Sequence, residues 1–135
     1  MGSAPQGEGE RRIHSPFIEH LGIRFVEVAD GRAELELLIL PEFLNSAGLV
    51  HGGVYASFGD TGLGAAIHSR LPAGQLALTA EMSCRYLKGA REGTLRCISK
   101  VLHLGRTTAI AEAEVFQGDA LQFKASGTFV VLARP

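Results

Sequence analysis

Net charge, cysteine and long apolar runs are all scarce in this sequence. Among 135 residues the formal net charge is −1, so no global basic field points to a nucleic-acid partner. There are two cysteines, Cys84 and Cys97, and no C-x-x-C or Cys/His spacing of the kind that holds zinc. Cys84 and Cys97 would lie opposite each other if residues 89–92 closed a hairpin; two reduced core thiols are the preferred reading. No run is long and apolar enough to span a membrane. The charge-free stretch 43–59 still holds Asn45, Ser46, His51 and several glycines. The first dozen residues, MGSAPQGEGERR, lack the apolar segment of a secretory signal, and Gln6 breaks the myristoylation pattern. Residues 1–12 read as a disordered tail. Residues 13–135 read as one domain, since the chain is too short for two of ordinary size. A cytoplasmic location is the default expectation.

What is present in unusual amount is small residues in one place. Residues 45–66 read NSAGLVHGGVYASFGDTGLGAA: a loop, then a helix with His51-Gly52-Gly53 at its start and Asp60 inside it. Each mid-helix glycine costs about 1 kcal/mol against alanine. A helix that keeps Gly59, Gly62 and Gly64 within two turns therefore needs close approach by neighbouring backbone. Val54, Tyr55, Phe58, Leu63 and Ile67 fall around the wheel, which predicts a helix buried on most sides. A carboxylate there is costly to bury unpaired, so Asp60 is the first residue to question.

Around that stretch the chain divides cleanly. Ser15 as N-cap, Pro16 at the first helical position and Gly22 as terminator predict a short helix. Asp30-Gly31 between two alternating runs predicts a hairpin, and Pro41 stops its second strand. The long helix is expected to run to about Arg70, ended by the Leu71-Pro72-Ala73-Gly74 segment. From Gln75 the period becomes two, giving four strands with turns at 104–106 and 117–119. These spacings predict hairpins and a meander, hence an antiparallel sheet. In the first of these strands Leu76, Leu78, Ala80, Met82, Cys84 and Tyr86 form the apolar face, which turns Thr79 away from it. Six strands must cover an apolar face, and the long helix is the one element large enough to do so. The expected class is α+β, a six-stranded antiparallel sheet wrapped around one long central helix. Its free edges favour pairing between subunits.

With this order of elements, the chain resembles the hotdog fold. The pattern Asn45, Gly48, His51-Gly52-Gly53 and Asp60 resembles acyl-CoA thioesterases of the phenylacetate-degradation type, within the 4-hydroxybenzoyl-CoA thioesterase superfamily. The strand after the helix is similar too, and places Thr79 where relatives carry a hydroxyl near the catalytic acid. The resemblance spans about residues 13–132. It implies hydrolysis of an acyl-CoA thioester to a free acid and coenzyme A, with no cofactor and no metal.

That chemistry needs an oxyanion donor and a carboxylate that attacks the carbonyl or activates water. A free N–H at a helix N-terminus supplies the donor, and glycines let a carbonyl approach closely. The resulting assignment makes Asp60 nucleophile or general base and Gly52 N–H the oxyanion donor. Asn45 binds the carbonyl or the attacking water, and Thr79, on the resemblance alone, orients water or Asp60. His51 fixes the start of the helix. Gly53 and Phe58 are assigned to substrate binding, and Phe43 and Tyr55 are further candidates for the acyl pocket. Arg85, Lys88 and Arg106 are candidates for the coenzyme A phosphates. Yet Gly52 and Asp60 are eight residues apart, about 12 Å of helical rise. One carbonyl cannot touch both in one chain, so the expected partner is a second copy: a homodimer at least, with a homotetramer expected. No nucleic acid and no membrane are expected. Two other readings fit the residues, a non-catalytic acyl-CoA-binding module and a hotdog hydratase or dehydratase.

Overall fold

A computed structural model describes residues 15–135. The expected tail at 1–12, and the first two residues of the expected domain, lie outside the described residues. Helix α1 (Pro16–Leu21) forms as its caps dictate. Ser15 is the N-cap, its hydroxyl accepting from Ile18 N–H at 3.2 Å, and Gly22 closes the helix in the left-handed region at φ 78°. Strands β1 (Arg24–Ala29) and β2 (Arg32–Leu38) follow. Asp30 and Gly31 both take positive φ, 54° and 81°, the turn whose twist matches a hairpin. A 3-10 turn (Pro41–Phe43) leads to the loop that ends in α2 (Gly52–His68), two residues shorter than expected at its C-terminus. The remainder is β3 (Gln75–Tyr86), β4 (Thr94–Leu104), β5 (Thr108–Gln117) and β6 (Ala120–Ala133).

All six strands form one antiparallel sheet in the order β1-β2-β4-β5-β6-β3, and α2 contacts every one of them. The fold is the α+β hotdog: a long helix in the trough of a six-stranded sheet. The core lies between them, with Phe58, Leu63, Ile67, Leu35, Leu95, Val115 and Phe123 wholly buried. Two of the helix glycines meet the sheet at very short range. A Cβ on Gly59 would lie 2.7 Å from the Phe123 ring, and one on Gly62 would lie 2.7 Å from Cys97 Sγ. Gly64 differs, since its nearest neighbour would be an ordinary 3.7 Å away. It lies on the one open stripe of α2, with Gly53, Ser57, Asp60, Thr61 and His68.

Two expectations about β3 are corrected. It does not pair with β4. It crosses to the far edge and pairs with β6, leaving β4-β5-β6 as the meander. Residues 87–93 are thus a crossing loop and not a hairpin turn, so Cys84 and Cys97 sit on strands that are not neighbours and both are free thiols. The second correction concerns which side chains of β3 face α2. The β3–β6 register slips between Thr79 and Glu81, leaving Ala80 as an extra residue. A bulge of this kind reverses the alternation. Gln75, Ala77 and Thr79 therefore share the helix side with Met82, Cys84 and Tyr86, while Leu78 is exposed. No helix among the described residues is long and apolar enough to cross a membrane.

Candidate active site

Asp60 is half-buried on the open stripe of α2, and not enclosed as the surrounding sequence suggested. Thr79 donates from Oγ1 to Asp60 Oδ1 at 2.6 Å, a short bond of the kind made to a charged acceptor. The bulge at Ala80 is what turns Thr79 toward the helix. Thr61, the nearest alternative partner in sequence, spends its hydroxyl on Ser57 O at 2.8 Å. Asp60 and Thr79 border a cavity of about 260 Å³ walled by α1, α2 and β3, with Phe17, Gly64, His68, Ala77 and Phe129 among its lining.

The other expected residues gather at the opposite end of α2. His51 caps the helix, and its Nδ1 accepts from Gly53 N–H at 2.8 Å. Val54 N–H donates to His51 O. Gly52 N–H has no acceptor among the described residues, as befits one of the four orphan donors at a helix start. Asn45 uses its side-chain oxygen to hold the loop, accepting from Ala47 N–H at 2.9 Å and Leu49 N–H at 3.1 Å. Its NH₂ is left for another acceptor. Asn45 and Gly52 line a second cavity of about 290 Å³ with Leu49, Tyr55, Tyr86, Leu87, Lys88 and Gly89.

Four assigned residues lie away from both cavities of the single chain. Phe58 is wholly buried in the core and lines neither cavity, because its position on α2 points into the sheet. Gly53 lines neither cavity, and its N–H is already taken by His51. Arg85 pairs in register with Lys124 on the solvent face of the sheet, and Arg106 lies in the β4–β5 turn; neither borders either of these two cavities. Of the three basic candidates Lys88 alone lines one.

The wall of the second cavity depends on a residue that periodicity hides. Gln122 is 3% exposed. Its Oε1 accepts from Tyr55 Oη at 2.7 Å and its Nε2 donates to Gly89 O at 3.4 Å. Its backbone carbonyl accepts from Leu87 and Lys88 N–H. In Leu121-Gln122-Phe123 a strict alternation sends Gln122 to solvent. The β5–β6 register instead skips it, pairing Phe116 with Leu121 and Val115 with Phe123, so it is a bulge residue facing inward. Tyr55, Tyr86 and Phe123 cluster beside it with centroids 5.1 to 6.4 Å apart; Tyr55 stacks on Phe123, and Tyr86 meets both rings edge-on. Burial raises the pKa of both tyrosines, and Cys84 adds to the rise at Tyr86. Tyr86 Oη also donates to Gly52 O at 3.3 Å.

A family model described as the thioesterase superfamily matches residues 47–124, which hold His51, Gly52, Asp60, Thr79 and Gln122. The chain belongs to the thioesterase superfamily. Among similar members, a "Putative esterase" of Archaeoglobus fulgidus is 38% identical over 98 residues, 72% of this chain and 62% of that protein. A "Putative esterase PA0474" of Pseudomonas aeruginosa is 30% identical over 96% of this chain and 98% of its own length. A conserved protein of Pseudomonas aeruginosa has a solved structure that is 35% identical, with TM-score 0.87, covering 90% of this chain and 98% of that one. A thioesterase from Haemophilus influenzae has the same fold at 18% identity, with TM-score 0.85 over 96% of this chain and 93% of that one.

Proposed function

We propose that this thioesterase-superfamily protein hydrolyses acyl-CoA thioesters, and that its active site is shared between two copies. The observation that carries the reading is the division of the machinery. A solvent-reachable carboxylate, oriented by Thr79, sits in one cavity, and an unpartnered helix-terminal N–H sits in another. About 12 Å of helical rise separates them. Two helices lying antiparallel across a twofold axis bring Gly52 of one copy to Asp60 of the other. The functional unit is thus a homodimer at least, and we extend the proposal to a homotetramer of two such dimers.

In that arrangement the thioester oxygen accepts from Gly52 N–H and the side-chain NH₂ of Asn45. Asp60 either attacks the carbonyl carbon or takes a proton from the attacking water. The new carbon–oxygen bond forms as negative charge gathers on the carbonyl oxygen, where the N–H donor and helix dipole stabilise it. The carbon–sulfur bond then breaks and the thiolate leaves and is protonated; where water attacked, the free acid is released with coenzyme A, and where Asp60 attacked, a second water hydrolyses the resulting anhydride, releasing the free acid and restoring the carboxylate. Lys88, at the rim of the Gly52 cavity, is the cation placed to meet a coenzyme A phosphate. The Asn45, Gly48, His51-Gly52-Gly53 and Asp60 motif supports the phenylacetate-degradation type of acyl-CoA thioesterase.

The deciding experiment is thiol release from aryl and aliphatic acyl-CoAs by wild type and Asp60→Asn in parallel. Turnover by wild type that disappears in the variant, with binding retained, is the expected result. Equal turnover in both proteins overturns the site. Binding of acyl-CoA with no thiol release from any of them overturns hydrolysis and leaves a binding module.

A further inference from the structure

The loop that carries Asn45 is a small hairpin closed by a bridge between Leu44 and Val50. Asn45 N–H donates to Leu49 O at 2.7 Å, and Gly48 N–H donates to Asn45 O at 3.0 Å. The base of this hairpin is tied to the crossing loop 87–93, since Val50 N–H donates to Ala90 O at 2.8 Å. Arg91 holds its tip from outside, with Nη1 donating to Ala47 O and to Gly48 O, each at 3.2 Å. We propose that Arg91 is a positioning residue, which fixes Asn45 through Ala47 and so holds the oxyanion end of the site in its working geometry. The proposal rests on the hydrolysis reading above and adds the residue that prepares its donor half.

Ala47 links the two side chains directly. Its N–H donates to Asn45 Oδ1 and its C=O accepts from Arg91, so a shift of this one residue disturbs both bonds. Leu49 N–H also donates to Asn45 Oδ1, which commits the amide oxygen to the loop and leaves the NH₂ for substrate. Gly48 gives the arginine room. It takes φ 76°, and a Cβ there would sit 3.0 Å from Arg91 Nη1. Arg91 is itself mounted on a fixed base. Ala90 before it is buried, and the carbonyl of Glu92 after it accepts from Gln117 Nε2 at 2.6 Å. No carboxylate pairs with Arg91 among the described residues, so its charge falls on the two loop carbonyls. Hydrogen bonds from a charged donor are the stronger kind, and a planar guanidinium loses less freedom in making them than a lysine ammonium does. Asn45 lines the Gly52 cavity, whereas Arg91 borders neither that cavity nor the one beside Asp60. Its influence on the reaction therefore passes through the loop.

Two measurements on the full chain test this. Steady-state thiol release is compared for wild type, Arg91→Ala and Arg91→Lys on an acyl-CoA and on the same acyl group carried by pantetheine, which has no phosphates. Arg91→Ala is expected to lower kcat about tenfold or more on both thioesters, with KM changed less than about twofold. Arg91→Lys is expected to fall between the two proteins. Millimolar guanidinium is expected to restore part of the rate to Arg91→Ala and to leave wild type unchanged. Amide hydrogen exchange gives a readout independent of turnover. Ala47 and Leu49 N–H, the two donors to Asn45 Oδ1, are expected to exchange about tenfold faster in Arg91→Ala, with the core amides of β5 unchanged. A rise in KM confined to the acyl-CoA makes Arg91 a phosphate ligand and overturns the proposal, as do an unchanged kcat or unchanged exchange at residues 47 and 49. A wild type that releases no thiol from any thioester overturns the hydrolysis reading, and exchange at residues 47 and 49 then decides by itself whether Arg91 fixes Asn45.

Discussion

Thr79 and Asp60 meet through a single 2.6 Å hydrogen bond, which makes its removal informative. A bond to a charged acceptor is worth about 1.5–3 kcal/mol. If it orients Asp60 in the transition state, Thr79→Ala lowers kcat by roughly 10- to 100-fold. Thr79→Ser keeps the hydroxyl and most of the rate, which steady-state thiol release will show. Gly62 and Gly64 offer a contrast in stability. A methyl at Gly62 drives into Cys97 Sγ, so Gly62→Ala costs about 1–3 kcal/mol in urea unfolding. Gly64→Ala meets only ordinary contact and gains up to about 1 kcal/mol of helix propensity. Cys97 sets an alkaline limit. Burial pushes its thiol up from 9.0 to about 12, so the folded protein holds this proton more tightly than the unfolded chain. Its contribution is fully present below pH 9.0 and is lost as pH rises from 9.0 toward about 12. The loss is at most about 1.4 kcal/mol per pH unit. Tyr55 and Tyr86 shift in the same direction. Cys97→Ala will be less stable at neutral pH and lose less stability between about pH 8 and about pH 10.5, as urea midpoints will show.

At the scale of elements, two bulges build the candidate site. The bulge at Ala80 turns Thr79 toward α2, and the bulge at Gln122 turns an amide into the gap between α2, β6 and the crossing loop. Gln122→Leu removes both side-chain hydrogen bonds and strands the Tyr55 hydroxyl in the interior, at a cost of about 1–3 kcal/mol. Because Gly89 is tied by that amide, the expected kinetic signature is a raised KM with a smaller change in kcat. Initial rates over a substrate series will separate the two. Neither bulge has a local sequence signature. T-A-E and L-Q-F read as plain alternation, which turned Thr79 away from α2 in the sequence reading and left Gln122 unnoticed. By contrast, α1 and the β1–β2 hairpin were legible because Ser15, Pro16, Gly22, Asp30 and Gly31 impose their geometry within four or five residues.

For the whole molecule, a shared site predicts complementation. Asp60→Asn spoils the carboxylate half and Asn45→Ala the donor half. In a dimer of one copy of each, one site carries both defects and the other carries none. Unfolding and refolding the two inactive variants together should recover about a quarter of wild-type activity if copies mix at random, since half the dimers are mixed and each has one intact site. Recovery is read as thiol release against each variant refolded alone; no recovery would mean that each chain completes its own site.

The order of elements, the capped short helix, the first hairpin and the buried small-residue helix were determined by the sequence alone, because caps, turns and periodicity act over a few residues. Asp60, His51 and Gly52 stood out for the same reason: a carboxylate and an exposed helix start amid uncharged small residues are local anomalies. The tertiary structure alone decided that β3 crosses to β6, that Ala80 and Gln122 are bulged, that Phe58 belongs to the core, and that the Asp60 and Gly52 ends of α2 open into separate cavities. Those features depend on which strand lies beside which and on one-residue slips between them. Such choices are settled by packing across the sheet between residues far apart in the chain, where no short stretch of sequence carries the preference.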